Sequence, residues 1–387
     1  MIPLPEGLRS RQVDNGNGLN MHVLEAGFET PDRPCVMLLH GFPELAYSWR
    51  KVMPILAQAG YYVVAPDQRG YGETLGWEAD YDADVRAFGM LNLVRDVLGL
   101  VWALDIGRVA AVVGHDFGSP VAAYCALLRP DVFCSVAMMS APFAGPPRVS
   151  SNSGTLIHDQ LATLQRPRKH YQWYYSTPEA NADMYACAQG VHDFLRAYFH
   201  YKSADWPDNR PYPLAAWSAE ELAKMPTYYI MNLDQNMAET VAPYMPGRSQ
   251  IARCEWLTDQ ELLVYSGAFA KTGFQGGLNW YRCATSGAYQ RELMLFAGQR
   301  IDVPACFIAG SSDWGVYQKP GDFEKFKAGV CSQVPGVHLI RGAGHWVQQE
   351  QPAGVGRLLL EFLEAVSYTH LRAHETDSYL VCRLLLE

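Results

Sequence analysis

The chain is predicted to be α/β, a mostly parallel central sheet with helices on both faces and one mainly helical insertion. Three observations carry this. Short apolar runs of strand length alternate with helical periodicities through about residue 140. From about Gly145 to Tyr289 the rhythm stops, and Tyr, Trp and Met are scattered among charged residues with few strand-like runs. Alternation then resumes at Val303. The expected division is a core of residues 1–144 and 291–366, a helical cap of residues 145–290, and a tail of residues 367–387.

In chain order, Leu19 to Glu25 alternates and reads as an early strand. Cys35 to Leu39 (CVMLL) is apolar throughout, as a strand buried on both faces must be. Ser48 to Ala59 has helical spacing and stops at Gly60. Tyr61 to Ala65 is the next strand, and Asp84 to Leu104 a long helical pattern. Val109 to Val113 is a buried strand, followed by a helix of small residues from Ser119 to Leu128 and a strand over Val132 to Met139. After the insertion come a strand at Val303 to Ala309, a helix near Phe323 to Ala328, a strand at Val337 to Ile340 and a last helix from about Pro352 to Val366. The remaining segment, SYTHLRAHETDSYLVCRLLLE, fits poorly with this core. It reads as a translated cloning-linker extension, or else as a further helix packing on the core, and it carries no functional expectation.

Bulk properties exclude several classes. The chain has 387 residues, 49% hydrophobic, enough for a large core. A net charge of −9 without blocks of like charge argues against nucleic acid or an anionic membrane as partner. No apolar run reaches the length of a membrane span, and the first residues lack the apolar stretch of a signal peptide. The 9 cysteines are scattered, with no C-x-x-C pair, which suits reduced thiols in a cytoplasmic protein rather than a disulfide frame or zinc site. No metal-ligand spacing and no phosphate-binding glycine loop is present, so no cofactor is expected.

The chemistry centres on Gly114-His115-Asp116-Phe117-Gly118, between a buried strand and a helix. Strand, tight turn and helix with a reactive side chain between two glycines form a nucleophile elbow. Here the apex is Asp116 rather than Ser or Cys. A carboxylate, with an ordinary pKa of about 3.9, is ionised at neutral pH and attacks without a base. It is a weak nucleophile, so its target must be an electrophilic saturated carbon such as an epoxide or alkyl halide, and the product is an ester of Asp116.

Two further loops follow strands on the same expected edge. Asp313 lies in Gly310-Ser311-Ser312-Asp313-Trp314, and His345 in Gly342-Ala343-Gly344-His345-Trp346. Nucleophile, acid and histidine thus run in the chain order of the α/β-hydrolase fold. His40-Gly41-Phe42-Pro43 can supply one oxyanion N–H from Phe42, and Phe117 the second. Asp67 and Arg69 are expected to brace their loop, and His115 to pack beside the elbow. Ser119 is off the apex, against a serine esterase.

HGFPE (40–44), DQRGYG (67–72), GHDFGS (114–119), the acid of GSSDW and GAGHW (342–346) together resemble the soluble epoxide hydrolases of the α/β-hydrolase superfamily, over roughly residues 15–366. Lys169-His170-Tyr171-Gln172-Trp173-Tyr174 and Gly277-Leu278-Asn279-Trp280-Tyr281-Arg282 are similar to that family's two cap motifs. The resemblance implies that Tyr171 and Tyr281 hydrogen-bond the epoxide oxygen, with Tyr174 and Tyr175 as the register alternatives for the first. It further implies Asp116 as nucleophile, His345 as base for the hydrolytic water, Asp313 as its orienting acid, and Phe42, Phe117, Trp280 and Trp346 around the substrate. The implied partner is a small apolar epoxide, converted to a vicinal diol; the sequence leaves the oligomeric state open, with a homodimer among the alternatives. A haloalkane dehalogenase would share the triad, but such enzymes place a Trp after the nucleophile, where this chain has Phe117. Fluoroacetate dehalogenases carry an Arg there. A non-catalytic receptor on this fold would tolerate a degraded triad, and here every member is present.

Overall fold

The computed structural model describes residues 4–148 and 157–367. Eight strands form one sheet: β1 Leu8–Asp14, β2 Asn20–Ala26, β3 Cys35–Leu39, β4 Tyr62–Pro66, β5 Val109–His115, β6 Val136–Met139, and, after the cap ribbon, β9 Ala305–Gly310 and β10 Gly336–Ile340. The ribbon pairs β7 Arg168–His170 with β8 Ile230–Asn232, antiparallel. The sheet order is β1-β2-β4-β3-β5-β6-β9-β10. From β4 to β10 all neighbours are parallel, while β1 and β2 are antiparallel to their neighbours.

The period-2 alternation of the central strands divides the apolar residues between two cores. Met37 and Leu39 of β3, with Val112 of β5, face the side that continues into the cap. Val36, Leu38 and Val113 face the other side, where Trp49, Met53 and Leu56 pack with Leu359 and Phe362 of the helix over residues 352–367. The apolar runs at β3, β5 and β9 are buried at every or nearly every position, as the sequence implies.

Three differences from the sequence reading have physical causes. β1 has almost no apolar signal (LRSRQVD), because an edge strand is held by its ladder and by ion pairs, here Arg9 and Arg11 on Glu25, rather than by burial. The pattern from Ser48 is split into a 3₁₀ turn, Ala46–Trp49, and a helix, Met53–Gln58, since Pro54 is tolerated only in a first turn. Likewise Gly89 divides the Asp84 pattern into Val85–Phe88 and Met90–Ala103. The expectation about the tail falls on residues 368–387, which lie outside the described residues. Among the described residues no helix is long and apolar enough to cross a membrane.

Among the described residues, the stretch between β6 and β9, called the cap here, is helical apart from the β7–β8 ribbon. Its contact with the core depends on bare backbone: a Cβ on Gly276 would stand 2.1 Å from the Gly70 carbonyl oxygen. That glycine lets the helix Gln275–Thr285 press onto the loop after β4, where the Trp280 indole N–H donates to the Arg69 carbonyl at 2.9 Å.

Candidate active site

Asp116 sits between β5 and the helix Gly118–Leu128 with φ +51°, left-handed backbone that a non-glycine residue seldom adopts. The turn is possible because its flanks have no side chains. A Cβ on Gly114 would meet the Gly118 oxygen at 2.0 Å, and one on Gly118 the Leu39 oxygen at 2.4 Å. The Asp116 side chain is thereby held at the sheet edge, against the loop after β3. There the Phe42 amide, preceding a cis bond to Pro43, donates to Asp116 Oδ1 at 3.0 Å. The Phe117 amide, at the start of its helix, meets no acceptor among the described residues.

His345 and Asp313 come to the same point from the loops after β10 and β9. His345 Nε2 lies 3.3 Å from Asp116 Oδ2 without the alignment of a hydrogen bond. Its Nδ1 lies 3.0 Å from Asp313 Oδ1 and 2.9 Å from Ser140 Oγ. The Ser140 hydroxyl donates to the second oxygen of Asp313, and the Gly315 amide donates to the first at 2.7 Å. With a carboxylate beside it, Nδ1 carries a ring proton, and this contact turns Nε2 toward Asp116 and the cavity. Ser140, at the end of β6 with φ +67°, carries no motif in the sequence. Its one signal is its place just past a strand on the active edge.

Burial alone would raise both carboxyl groups. At Asp116 the contact and charge of His345, helped by Lys202 and His115, outweigh it and hold the group well below the usual range. Asp313 is lowered against its own burial by His345, Ser140 and the Gly315 amide. His115 donates from Nδ1 to Glu44 at 2.5 Å and from Nε2 to the His345 carbonyl at 2.7 Å, so both nitrogens carry protons. Asp67 braces its loop by accepting from His22 Nδ1 and the Ala46 amide, and Arg69 pairs with Asp96. The Ser119 hydroxyl donates to the Ala141 carbonyl.

The cap supplies the opposite wall. Tyr171 follows β7 directly, and its amide donates to the Tyr229 carbonyl at 2.9 Å, so the ribbon sets its position. Tyr281 comes from the helix pressed onto Gly70. The two rings stand 5.9 Å apart, and both line a cavity of about 320 Å³ together with Asp116 and Phe117. The Tyr171 hydroxyl donates to Gln318 Oε1 at 3.0 Å and accepts from Gln172 Nε2 at 3.1 Å. Tyr174 points elsewhere, donating to Asp183, and Tyr175 donates to Tyr198. Burial and the charge of Asp116 push the Tyr171 and Tyr281 phenols well above their ordinary value, so both stay protonated. Tyr124, Phe143 and Leu293 complete an apolar side of the cavity.

Trp280 and Trp346 are both fully buried, each giving its indole N–H to a backbone carbonyl, Arg69 for one and Phe199 for the other, and Trp280 lines a smaller adjoining pocket with Phe117 and Leu293. Phe42 reaches the site through its amide, while its ring packs behind Tyr175 and Tyr281. Gln318 lines the cavity and carries no motif in the sequence. Among the described residues no cluster of His, Cys, Asp and Glu is arranged to hold a metal.

The chain is similar to known proteins along most of its length. The profile of the alpha/beta hydrolase fold family matches residues 34–352. The chain is 34% identical to epoxide hydrolase A of Mycobacterium tuberculosis, covering 92% of this chain and 98% of the relative. It is 30% identical to an epoxide hydrolase of Caballeronia sordidicola, with 90% and 92% covered. Among solved structures, an epoxide hydrolase from an endophytic Streptomyces superposes with a TM-score of 0.76 at 31% identity, covering 94% of this chain and 97% of the other. Epoxide hydrolase A from Mycobacterium thermoresistibile gives 0.73 at 32% identity, with 92% and 98% covered.

Proposed function

The chain belongs to the α/β-hydrolase fold family and, within it, to the epoxide hydrolases, and from that premise we propose that it opens a small epoxide to a vicinal diol through an ester of Asp116. The observation that carries the reading is a division of one cavity: an ionised carboxylate on the core wall faces two protonated phenols on the cap wall.

In the first step Asp116 attacks a ring carbon, the carbon–oxygen bond of the strained ring breaks, and Tyr171 and Tyr281 donate to the departing oxygen. In the second, His345 Nε2 takes a proton from water while that water's oxygen bonds to the ester carbonyl carbon. Asp313 and Ser140 orient the imidazole, and the charge that gathers on the carbonyl oxygen is received by the Phe42 and Phe117 amides. Collapse releases the diol and restores the carboxylate. The 3.0 Å bond from Phe42 to Asp116 supports this role, because the oxygen it holds in the resting carboxylate is placed to become the oxyanion. The apolar side of the cavity suits an apolar epoxide.

A single turnover in ¹⁸O water tests the covalent route. Hydrolysis at the carbonyl carbon places the label in Asp116 and leaves the first diol unlabelled, as read by mass spectrometry of the peptide and the product. Label found directly in the first diol excludes the ester.

A further inference from the structure

Lys202 ends the cap helix Gly190–Lys202 and is buried. No hydrogen bond or ion pair is made by its ammonium among the described residues. Instead the Nζ stands over four aromatic rings, 4.9 Å from the centroid of Tyr229, 5.2 Å from Tyr198, 5.3 Å from Trp346 and 5.7 Å from Tyr228. Cation–π attraction offsets part of what burial costs such a group, but a neutral side chain of the same length would fill the ring of aromatics without that cost.

The backbone fixes this ammonium relative to the reaction. The Lys202 carbonyl accepts the His345 amide at 2.9 Å. Two residues on, the Ala204 amide donates to Glu350, which also accepts the Gly344 and Trp346 amides on either side of His345. Burial lowers the Lys202 ammonium from its ordinary value, and the negative charges of Asp116, Asp313 and Glu44 oppose that lowering. Asp116 is the one whose charge changes during the reaction proposed above.

We propose that Lys202 is a positioning charge for the second half-reaction, fixed by its aromatic surroundings and by the His345 loop so as to favour return of Asp116 from neutral ester to carboxylate. The inference rests on the covalent route. In the ester Asp116 carries no charge. Water then bonds to its carbonyl carbon, the water proton passes to His345, and negative charge gathers on the carbonyl oxygen. When the bond from that carbon to the alkyl oxygen breaks, the proton goes to the departing oxygen, the diol leaves and the carboxylate reforms. A fixed positive charge stabilises both negative stages relative to the ester. By the same argument it opposes formation of the ester, so it speeds hydrolysis and restrains attack.

The test compares wild type with Lys202→Met and Lys202→Arg on one epoxide, by rapid-quench mass spectrometry of the Asp116 peptide and by steady-state kinetics. In Lys202→Met, ester hydrolysis is expected to slow about tenfold. The ester then accumulates during turnover, kcat and KM fall together, and kcat/KM is unchanged or raised. Removing an unpaired buried charge should leave Tm unchanged or higher. Lys202→Arg should restore hydrolysis in proportion to the charge it returns. The proposal is overturned by a Lys202→Met that hydrolyses its ester at the wild-type rate, by a fall in kcat/KM without accumulation, or by failure of both variants to fold, which would assign the residue to cap packing. His345→Gln separates the two levels: if that variant forms no Asp116 adduct, the covalent reading itself fails, whereas a trapped adduct there beside an unaffected Lys202→Met refutes this inference alone.

Discussion

The two walls of the cavity hold their protons in opposite ways. On the core wall, Asp116 and Asp313 are buried, yet His345 and their hydrogen-bond donors keep them ionised. On the cap wall, Tyr171 and Tyr281 are also buried, and burial together with the negative charge of Asp116, joined at Tyr171 by that of Asp313, makes them keep their protons. One degree of burial thus yields opposite charge states, because the core residues end parallel strands beside amide donors and an imidazole, while the cap phenols stand in an aromatic cluster. Groups whose environments push them apart in this way divide the work of acid and nucleophile. Mechanical support differs too: the core groups follow parallel strands of one sheet, the cap groups a two-strand ribbon and one helix seated on Gly70.

If that division is real, changes on the core wall should affect the ester and changes on the cap wall its formation. The largest effect is expected within the core. Asp116→Ala should lower diol formation by at least about 10⁴-fold with no adduct. His345→Gln should stop turnover as severely but trap a stoichiometric adduct on Asp116, visible as the mass of the substrate. Two core variants that both lack an adduct would break the assignment of hydrolysis to His345.

Cap changes come next. Tyr281→Phe and Tyr171→Phe should each lower kcat/KM about 100-fold, with no accumulated ester, in stopped-flow or product assays. The comparison sharpens if the two differ. Tyr171 is already held by Gln172 and Gln318, whereas no hydrogen bond engages the Tyr281 hydroxyl among the described residues, so Tyr281→Phe should be the more damaging. An adduct trapped in either variant would place these phenols in the second step instead.

The smallest effect concerns the joint between the regions. Burial would raise the Glu261 carboxyl of the cap, but the buried Arg50 guanidinium of the core, 2.8 Å away, overrides it and lowers the group to about 2 from 4.5. A depressed acid adds stability above its unfolded pKa and loses it as pH falls through its folded one. Wild type should therefore lose about 1–2 kcal/mol between pH 4.5 and 2 through this group, allowing for its partial exposure, and Glu261→Gln should flatten that part of the profile in denaturant titrations. An unchanged profile would mean that the joint is held by packing and not by charge.

Much of this architecture is legible in the chain. Runs such as CVMLL and VAAVV can satisfy their backbones and bury both faces only inside a sheet, and the glycines around Asp116 reveal a crowded turn before any coordinates exist. β1 is invisible because ladder hydrogen bonds, not apolar side chains, hold it. The surroundings of Trp280 and Trp346 are not legible, because a tryptophan in a motif reads the same whatever its ring faces, and here each indole N–H serves a backbone carbonyl.

The sequence by itself determined the elbow, the strand order of acid and histidine, and the cap between them, since each depends on spacing along the chain. Only the tertiary structure decided that Ser140 would meet Asp313 and His345, that Gln318 would hold Tyr171, and that Lys202 would stand among four aromatic rings with its carbonyl on the His345 amide. Those contacts join residues from separate elements. Their strength comes from water excluded by packing and from fields that fall with distance in space, and neither is written in the separation of residues along a chain.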